Sequence, residues 1–200
     1  MISTKENIRK VLIKTGRKLV KEKGAAYLTA RKLSDASGYS IGTIYNQFGT
    51  MDRFIMEQNR ITMDELLKYM RDIFEEDDAY LMLNRYLDTF VAFVLANQNL
   101  WFLLYNFHLN AVYTQLPKDY LRKMVEVTAL WQPYFDKVYP NLQPKERQLS
   151  LRVLWLALFS VSSFLTTQAL DSFSRVNRKN LCKLLLNTYM AGLTVLNEDR

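Results

Sequence analysis

Apolar positions along the chain recur at intervals of three and four residues, the spacing of one helical face, through nearly its whole length. Over residues 4–23, Ile8, Val11, Leu12, Thr15, Leu19 and Val20 share a side and lysines and arginines populate the rest. Gly24 then stops the helix. A short connector, residues 25–28, sends Tyr27 and Leu28 toward a core. The pattern next predicts two short helices. Residues 30–36 turn Leu33 and Ala36 inward, and residues 41–47 align Ile41, Ile44, Tyr45 and Phe48 on one face. Between them Ser37-Gly38-Tyr39-Ser40 makes a tight turn, in which Gly38 supplies a positive φ at no steric cost. Thr29 and Ser40 each stand where the following helix needs a cap. This is the layout of a helix-turn-helix, whose second helix enters the DNA major groove.

Gly49 breaks the third helix and Thr50 caps a fourth, expected over residues 51–75. Phe54 and Ile55 in its first turns belong with the N-terminal core, whereas Ile61, Leu66, Leu67, Met70, Ile73 and Phe74 face a second domain. The acidic run Glu75-Glu76-Asp77-Asp78 ends that helix and caps the next; with no histidine nearby, it reads as a solvated junction rather than a metal site. Further helices are expected over residues 79–96, 100–111, 119–138, 145–170 and 178–196. They are punctuated by Asn97-Gln98-Asn99, Pro117, Pro140, Pro144 and residues 171–177. Pro133 lies inside one of them and is expected to kink or break it. The fold class is therefore all-α with about nine helices. A three-helix helix-turn-helix domain spans residues 1–50, and a helical bundle domain spans residues 51–200.

Charge sharpens this division. Residues 1–53 carry eleven Lys/Arg against four Asp/Glu, an excess of seven that equals the net charge of the whole 200-residue chain. The positive charge thus sits on the segment holding the helix pair, as a phosphate-binding module requires. An apolar fraction of 49% indicates a globular chain. The single cysteine, Cys182, excludes an internal disulfide and a cysteine-based zinc site; it reads as a packed thiol. No targeting segment is visible at the polar N-terminus, and the most apolar stretch, residues 154–165, is too short to cross a bilayer. A cytoplasmic protein without a membrane partner is expected. There is no Ser-His-Asp set, metal-ligand spacing or Gly-rich phosphate loop, so neither catalysis nor a cofactor is expected.

The run T-A-R-K-L-S-D-A-S-G-Y-S-I-G-T-I-Y-N-Q-F-G-T-M-D-R-F, residues 29–54, resembles the DNA-binding signature of the tetracycline-repressor (TetR) family. It has the Thr opening the second helix, the Ala before the turn Gly, the Ser-x-Gly-Thr-aliphatic-Tyr string and the closing aromatic. It departs at Met51, where the family usually has a phosphate-neutralising Lys. The resemblance implies phosphate contacts from Thr29, Tyr45 and Asn46, and base contacts near Arg31, Ile41, Gly42 and Thr43, with Ser40 at the helix start. By residue type, Arg31 suits a bidentate guanine contact, Gly42 lets the backbone approach closely, and Thr43 offers a hydroxyl and a methyl.

The remainder is rich in aromatics, which at helical spacing pack as core. The family resemblance implies that this domain is hollowed for a small effector, with the fourth helix as the lever to the DNA head. Candidate lining residues are Leu67, Phe93, Trp101, Tyr105, His108, Trp131, Phe135 and Trp155; polar groups among them include Asn106, Asn110, Thr128 and Gln132. The last two helices carry stripes of small and aliphatic residues. In the family they form a four-helix dimer interface, here with Val153, Ala157, Ser160, Phe164, Leu185, Tyr189 and Gly192. Dimerisation also answers a physical need, since one small head makes few contacts and a twofold pair reads two half-sites. The expected protein is a homodimeric, sequence-specific DNA-binding repressor on a pseudo-palindromic double-stranded operator, released by a small hydrophobic or aromatic effector. The alternative is an effector-independent DNA-binding or partner-binding protein with a solid C-terminal core.

Overall fold

The computed structural model describes residues 4–110, 116–167 and 178–198. They form nine α-helices and one 3₁₀ turn, with no strand among the described residues. The helices are α1 (Thr4–Lys23), α2 (Ala30–Ser37), α3 (Ile41–Phe48), α4 (Met51–Arg71), α5 (Ala79–Ala96), α6 (Gln98–Asn110), α7 (Lys118–Val138), α8 (Pro144–Phe164) and α9 (Arg178–Glu198), and the 3₁₀ turn is Ala25–Tyr27.

Most spans follow the apolar periodicity to within two residues, and the departures have local causes. The fourth helix stops at Arg71, short of the acidic run. Carboxylates gathered at a helix C-terminus oppose its dipole. Asp78 instead caps α5, its Oδ1 accepting from the backbone N–H of Tyr80 at 2.7 Å and of Leu81 at 3.0 Å. Pro133 does not break α7, which runs on to Val138. Pro133 is exposed, so the carbonyl that its ring leaves without an intrahelical donor is on the solvent side. α8 ends at Phe164 and not at residue 170, because Thr166 and Thr167 turn back on it, each bonding through its backbone N–H and its hydroxyl to the carbonyl three residues earlier, of Ser163 and Phe164. The expected end at residue 111 and the breaker at residues 171–177 lie outside the described residues.

The chain divides into two compact units, residues 1–64 with 97–116, and residues 65–96 with 117–200. The division falls inside α4 and assigns α6 to the N-terminal unit. There, Leu12, Val20, Leu28, Leu33, Ile44, Phe48 and Phe54 form one core with Leu100 and Leu103 of α6. Burial of each such side chain contributes about 1.5–3 kcal/mol. Asn99 fastens α6 to the end of α1 through a 3.0 Å bond from Nδ2 to the Lys21 carbonyl. Tyr27 stays partly exposed, with the Lys32 ammonium 5.0 Å from its ring centre, so only Leu28 of that pair enters the core.

In the other unit α5 packs on α7 and α9, and α8 packs on both α7 and α9. α5 is long and apolar enough to cross a membrane by length and composition, but Met82, Leu83, Leu87, Phe90 and Val94 are buried in this unit. Tyr139 donates to the Met190 carbonyl at 2.8 Å and Tyr189 to the Ser150 carbonyl at 2.8 Å, fixing α9 against α7 and α8. Arg147 closes the α7–α8 turn. Its Nη1 donates to the carbonyls of Tyr139, Pro140 and Leu142 at 3.2, 3.0 and 2.8 Å, and it pairs with Asp136 at 2.9 Å.

A candidate DNA-binding interface

The α2–α3 pair is built by its caps and its turn. Thr29 Oγ1 accepts from the Lys32 N–H at 3.2 Å, and Ser40 Oγ accepts from the Thr43 N–H at 3.1 Å. Each satisfies an N–H that the first turn of a helix leaves without an intrahelical partner. Gly38 ends α2 at φ +76°, where a Cβ would be strained, and its N–H bonds to the Ser34 carbonyl. Ser34 Oγ in turn donates to the Tyr39 carbonyl at 2.7 Å, locking the turn.

Only Ile44 and Phe48 of α3 are buried; Ile41 and Tyr45 are 41% and 43% exposed. The expected four-residue apolar face is therefore narrower, because a head built of short helices has too small a core to cover more. The outward surface of α3 presents Ile41, Gly42, Tyr45 and Asn46, with Thr43 half-buried beside Ser40, its Oγ1 2.9 Å from Ser40 Oγ. Ser40 is thus committed to its own helix start. A Cβ at Gly42 would meet only Ser40 Oγ, at 3.7 Å, so this part of α3 is open to a groove. Thr29 and Arg31 are exposed at the start of α2. Met51 is half-buried against the head's core and brings no charge to the surface.

Two arginines of the basic helix α1 point inward, which its charge count did not signal. Arg9 Nη1 donates to the Gln47 carbonyl at 3.0 Å, its Nη2 pairs with Glu57 at 3.3 Å, and its guanidinium lies 4.4 Å from the Phe48 ring centre. It satisfies a carbonyl at the end of α3 and ties that end to α1 and α4. Arg17 Nη1 donates to the Gln58 carbonyl and to Thr62 Oγ1 at 3.2 and 3.1 Å.

The pocket candidates divide between the units. In the N-terminal unit Trp101 and His108 are buried and Tyr105 is half-buried, all on α6. Burial holds the His108 imidazole down at about 4, so it is neutral at physiological pH. In the other unit Leu67, Phe93, Trp131 and Phe135 are buried and Trp155 half-buried. Trp131 stacks on Tyr86 at 5.8 Å and meets Trp155 edge-on at 6.5 Å, while Phe90 lies 5.0 Å from Trp155. No described residue accepts from the buried Trp131 indole N–H. A surface groove of about 360 Å³ runs between α7 and α8, lined by Val125, Thr128, Gln132, Pro133, Gln148 and Arg152 among others.

On α8, Leu149, Val153, Leu156, Ser160 and Phe164 form an exposed stripe, with Ala157 half-buried beside it. On α9, Leu184, Gly192 and Val195 are exposed and Leu185 and Tyr189 half-buried. A Cβ at Gly192 would meet nothing within 4 Å.

Residues 12–57, the head just described, match the model of the bacterial regulatory proteins of the tetR family. No curated protein sequence matches the chain. Solved structures resemble it over nearly its full length. Thermus thermophilus FadR, a TetR-family transcriptional repressor in complex with lauroyl-CoA, shares 13% identity at a TM-score of 0.67, covering 91% of this chain and 93% of that one. A tetR-family transcriptional regulator from Streptomyces coelicolor shares 14% at 0.68, covering 96% and 82%. One from Bordetella parapertussis shares 14% at 0.63, covering 92% and 94%. Residues 12–57 thus carry a tetR-family helix-turn-helix in a basic head, and the chain shares its all-helical fold with these solved regulators.

Proposed function

We propose that the protein is a homodimeric repressor that binds a pseudo-palindromic operator and leaves it when a small apolar or aromatic effector binds. The observation that carries the DNA reading is the outward face of α3, with Gly42 open to close approach and Tyr45 and Asn46 exposed at the end of a capped, tethered helix. In this reading Thr29, Tyr45 and Asn46 hold phosphates, while Arg31, Ile41, Gly42 and Thr43 meet base edges. The exposed apolar stripe on α8, continued on α9 by Leu184 and Val195, supports pairing of two copies there. Ser160 and Gly192 permit close approach. The resident location is the cytoplasm, where the operator is.

The buried, unpartnered indole N–H of Trp131 supports an effector. An unsatisfied buried donor costs about 1–3 kcal/mol, which an acceptor on the effector would offset. FadR's complex with lauroyl-CoA is in keeping with an apolar effector. The effector-independent reading is favoured by a different observation, the mutual packing of Tyr86, Phe90, Trp131 and Trp155. Selection of bound sequences from a random duplex pool tests the main proposal. An enriched inverted repeat, with light scattering giving a dimer, is expected. An unenriched pool or a monomer at micromolar concentration refutes it.

A further inference from the structure

The charge of the head is not all available to a ligand. Arg9 is spent on Gln47, Phe48 and Glu57, and Arg17 on Gln58 and Thr62. Lys10 pairs with Glu6 at 2.9 Å. Arg53 is different. It is exposed and has no ion-pair partner among the described residues. Its backbone N–H is held by Thr50 Oγ1 at 3.1 Å, and its side chain folds back over the turn that ends α3. A Cβ built on Gly49 would lie 3.4 Å from its Nη1 and 3.8 Å from its Cδ. The guanidinium therefore rests beside Gly49, the residue that ends α3, and Tyr45 and Asn46 of that helix are also exposed.

Two carboxylates could have neutralised Arg53 and neither does. Asp52 is its neighbour in sequence, and adjacent residues on a helix do not face each other. Glu57 stands one turn on, the position from which a helix pairs its charges, but it is held 3.3 Å from Arg9. A cation in the first turn of a helix also opposes the helix dipole. An arginine uncompensated, unfavourably placed for its own helix and lying beside the exposed end of α3 has the chemistry of an anion contact.

We propose that Arg53 is a DNA-phosphate contact at the end of α3, and that the Arg9–Glu57 pair keeps it available by occupying the carboxylate that would otherwise neutralise it. The inference rests on the DNA-binding reading above and adds to it a residue outside the helix pair. Phosphate contacts are independent of base sequence, so a short mixed-sequence duplex serves as the probe.

The full-length protein and its Arg53→Gln variant are titrated with that duplex by fluorescence anisotropy across a salt series. The expected result is a slope of log K against log salt shallower by about 0.9 for each chain engaged, with an unchanged melting temperature. Arg9→Met is expected to release Glu57 onto Arg53 and give the same loss of slope, and adding Glu57→Gln to that chain is expected to restore it. If Arg53→Gln binds with the wild-type slope, Arg53 is not a phosphate contact. If the double variant stays as weak as Arg9→Met, the occupancy half of the proposal is overturned. If the wild-type protein binds no duplex at all, it is the DNA-binding reading that falls.

Discussion

Replacing Gly16 by alanine sets two effects of opposite sign against each other. Gly16 is in the middle of α1, where alanine is preferred over glycine by about 0.5–1 kcal/mol. A Cβ there, however, would lie 2.5 Å from Cζ and 2.8 Å from Cε1 of Phe54, and 3.3 Å from Nε2 of Gln58. Carbon atoms in contact sit at roughly 3.5–4.0 Å, so the ring must retreat by about 1 Å. Phe54 is fully buried and meets the edge of Phe48 at 4.8 Å, so its far side is occupied. Gln58 is held by a 3.0 Å bond from Nε2 to the Ile13 carbonyl. Overpacking of this kind costs about 1–3 kcal/mol. Steric cost exceeds helix preference, and Gly16→Ala should lose about 1–2 kcal/mol net. Urea denaturation would show a lower midpoint at unchanged m value, and the melting temperature should fall by about 2–4 °C per kcal/mol. Gly192→Ala is the matched control in α9, where a methyl meets nothing within the chain. A Gly16→Ala protein more stable than wild type would refute the claim that α1 and α4 are in close contact at this point.

The other predictions concern single groups. Thr29→Ala and Ser40→Ala should each cost about 1 kcal/mol of stability by removing a helix cap, read as the loss in denaturation free energy. His108 has its folded value lowered to about 4 by burial, below its ordinary 6.5, so the stability linked to its neutral form is fully present above pH 6.5 and is lost as the pH falls toward 4. The difference in unfolding free energy between wild type and His108→Gln should therefore shift by up to about 3 kcal/mol across that window, as measured by denaturation at successive pH values. Cys182 is fully buried, with its thiol raised to about 11; it should react with a thiol reagent at neutral pH only after denaturant is added.

The helix-turn-helix was legible because its signals are local. A positive-φ glycine, a capping hydroxyl before each helix and a short apolar repeat all act within a few residues, and Gly38, Thr29, Ser40, Ile44 and Phe48 behave as that logic requires. Partnerships at long range were not legible. Leu100 and Leu103 belong to the N-terminal core, yet nothing in the spacing of α6 distinguishes an inward face aimed at α1 from one aimed elsewhere. Arg9 and Arg17 read as part of a solvated basic face because counting charge does not reveal which guanidinium has a carbonyl to hold. The apolar repeat on α3 overstated burial at Ile41 and Tyr45 for a related reason. Periodicity reports which residues share a face, while the size of the opposing surface decides how much of that face is covered.

The contact between α1 and the first turns of α4 shows what that missed layer achieves. An apolar seam would tolerate sliding of one helix along the other, because dispersion contacts are non-directional. Here the apolar seam also carries polar bonds. Gln58 bonds to the Ile13 carbonyl, Arg17 bonds to the Gln58 carbonyl and to Thr62, and Phe54 fills the notch at Gly16. Asn59 is buried beside them in sequence with no described partner for either amide atom. Rotation or sliding of α4 by even a fraction of a turn would leave several buried donors and acceptors unsatisfied at about 1–3 kcal/mol each, and would drive the Phe54 ring out of its notch. Arg9 then extends the same register to α3 through Gln47 and Glu57. Because α1, α3 and the start of α4 are joined by directional bonds, they move together.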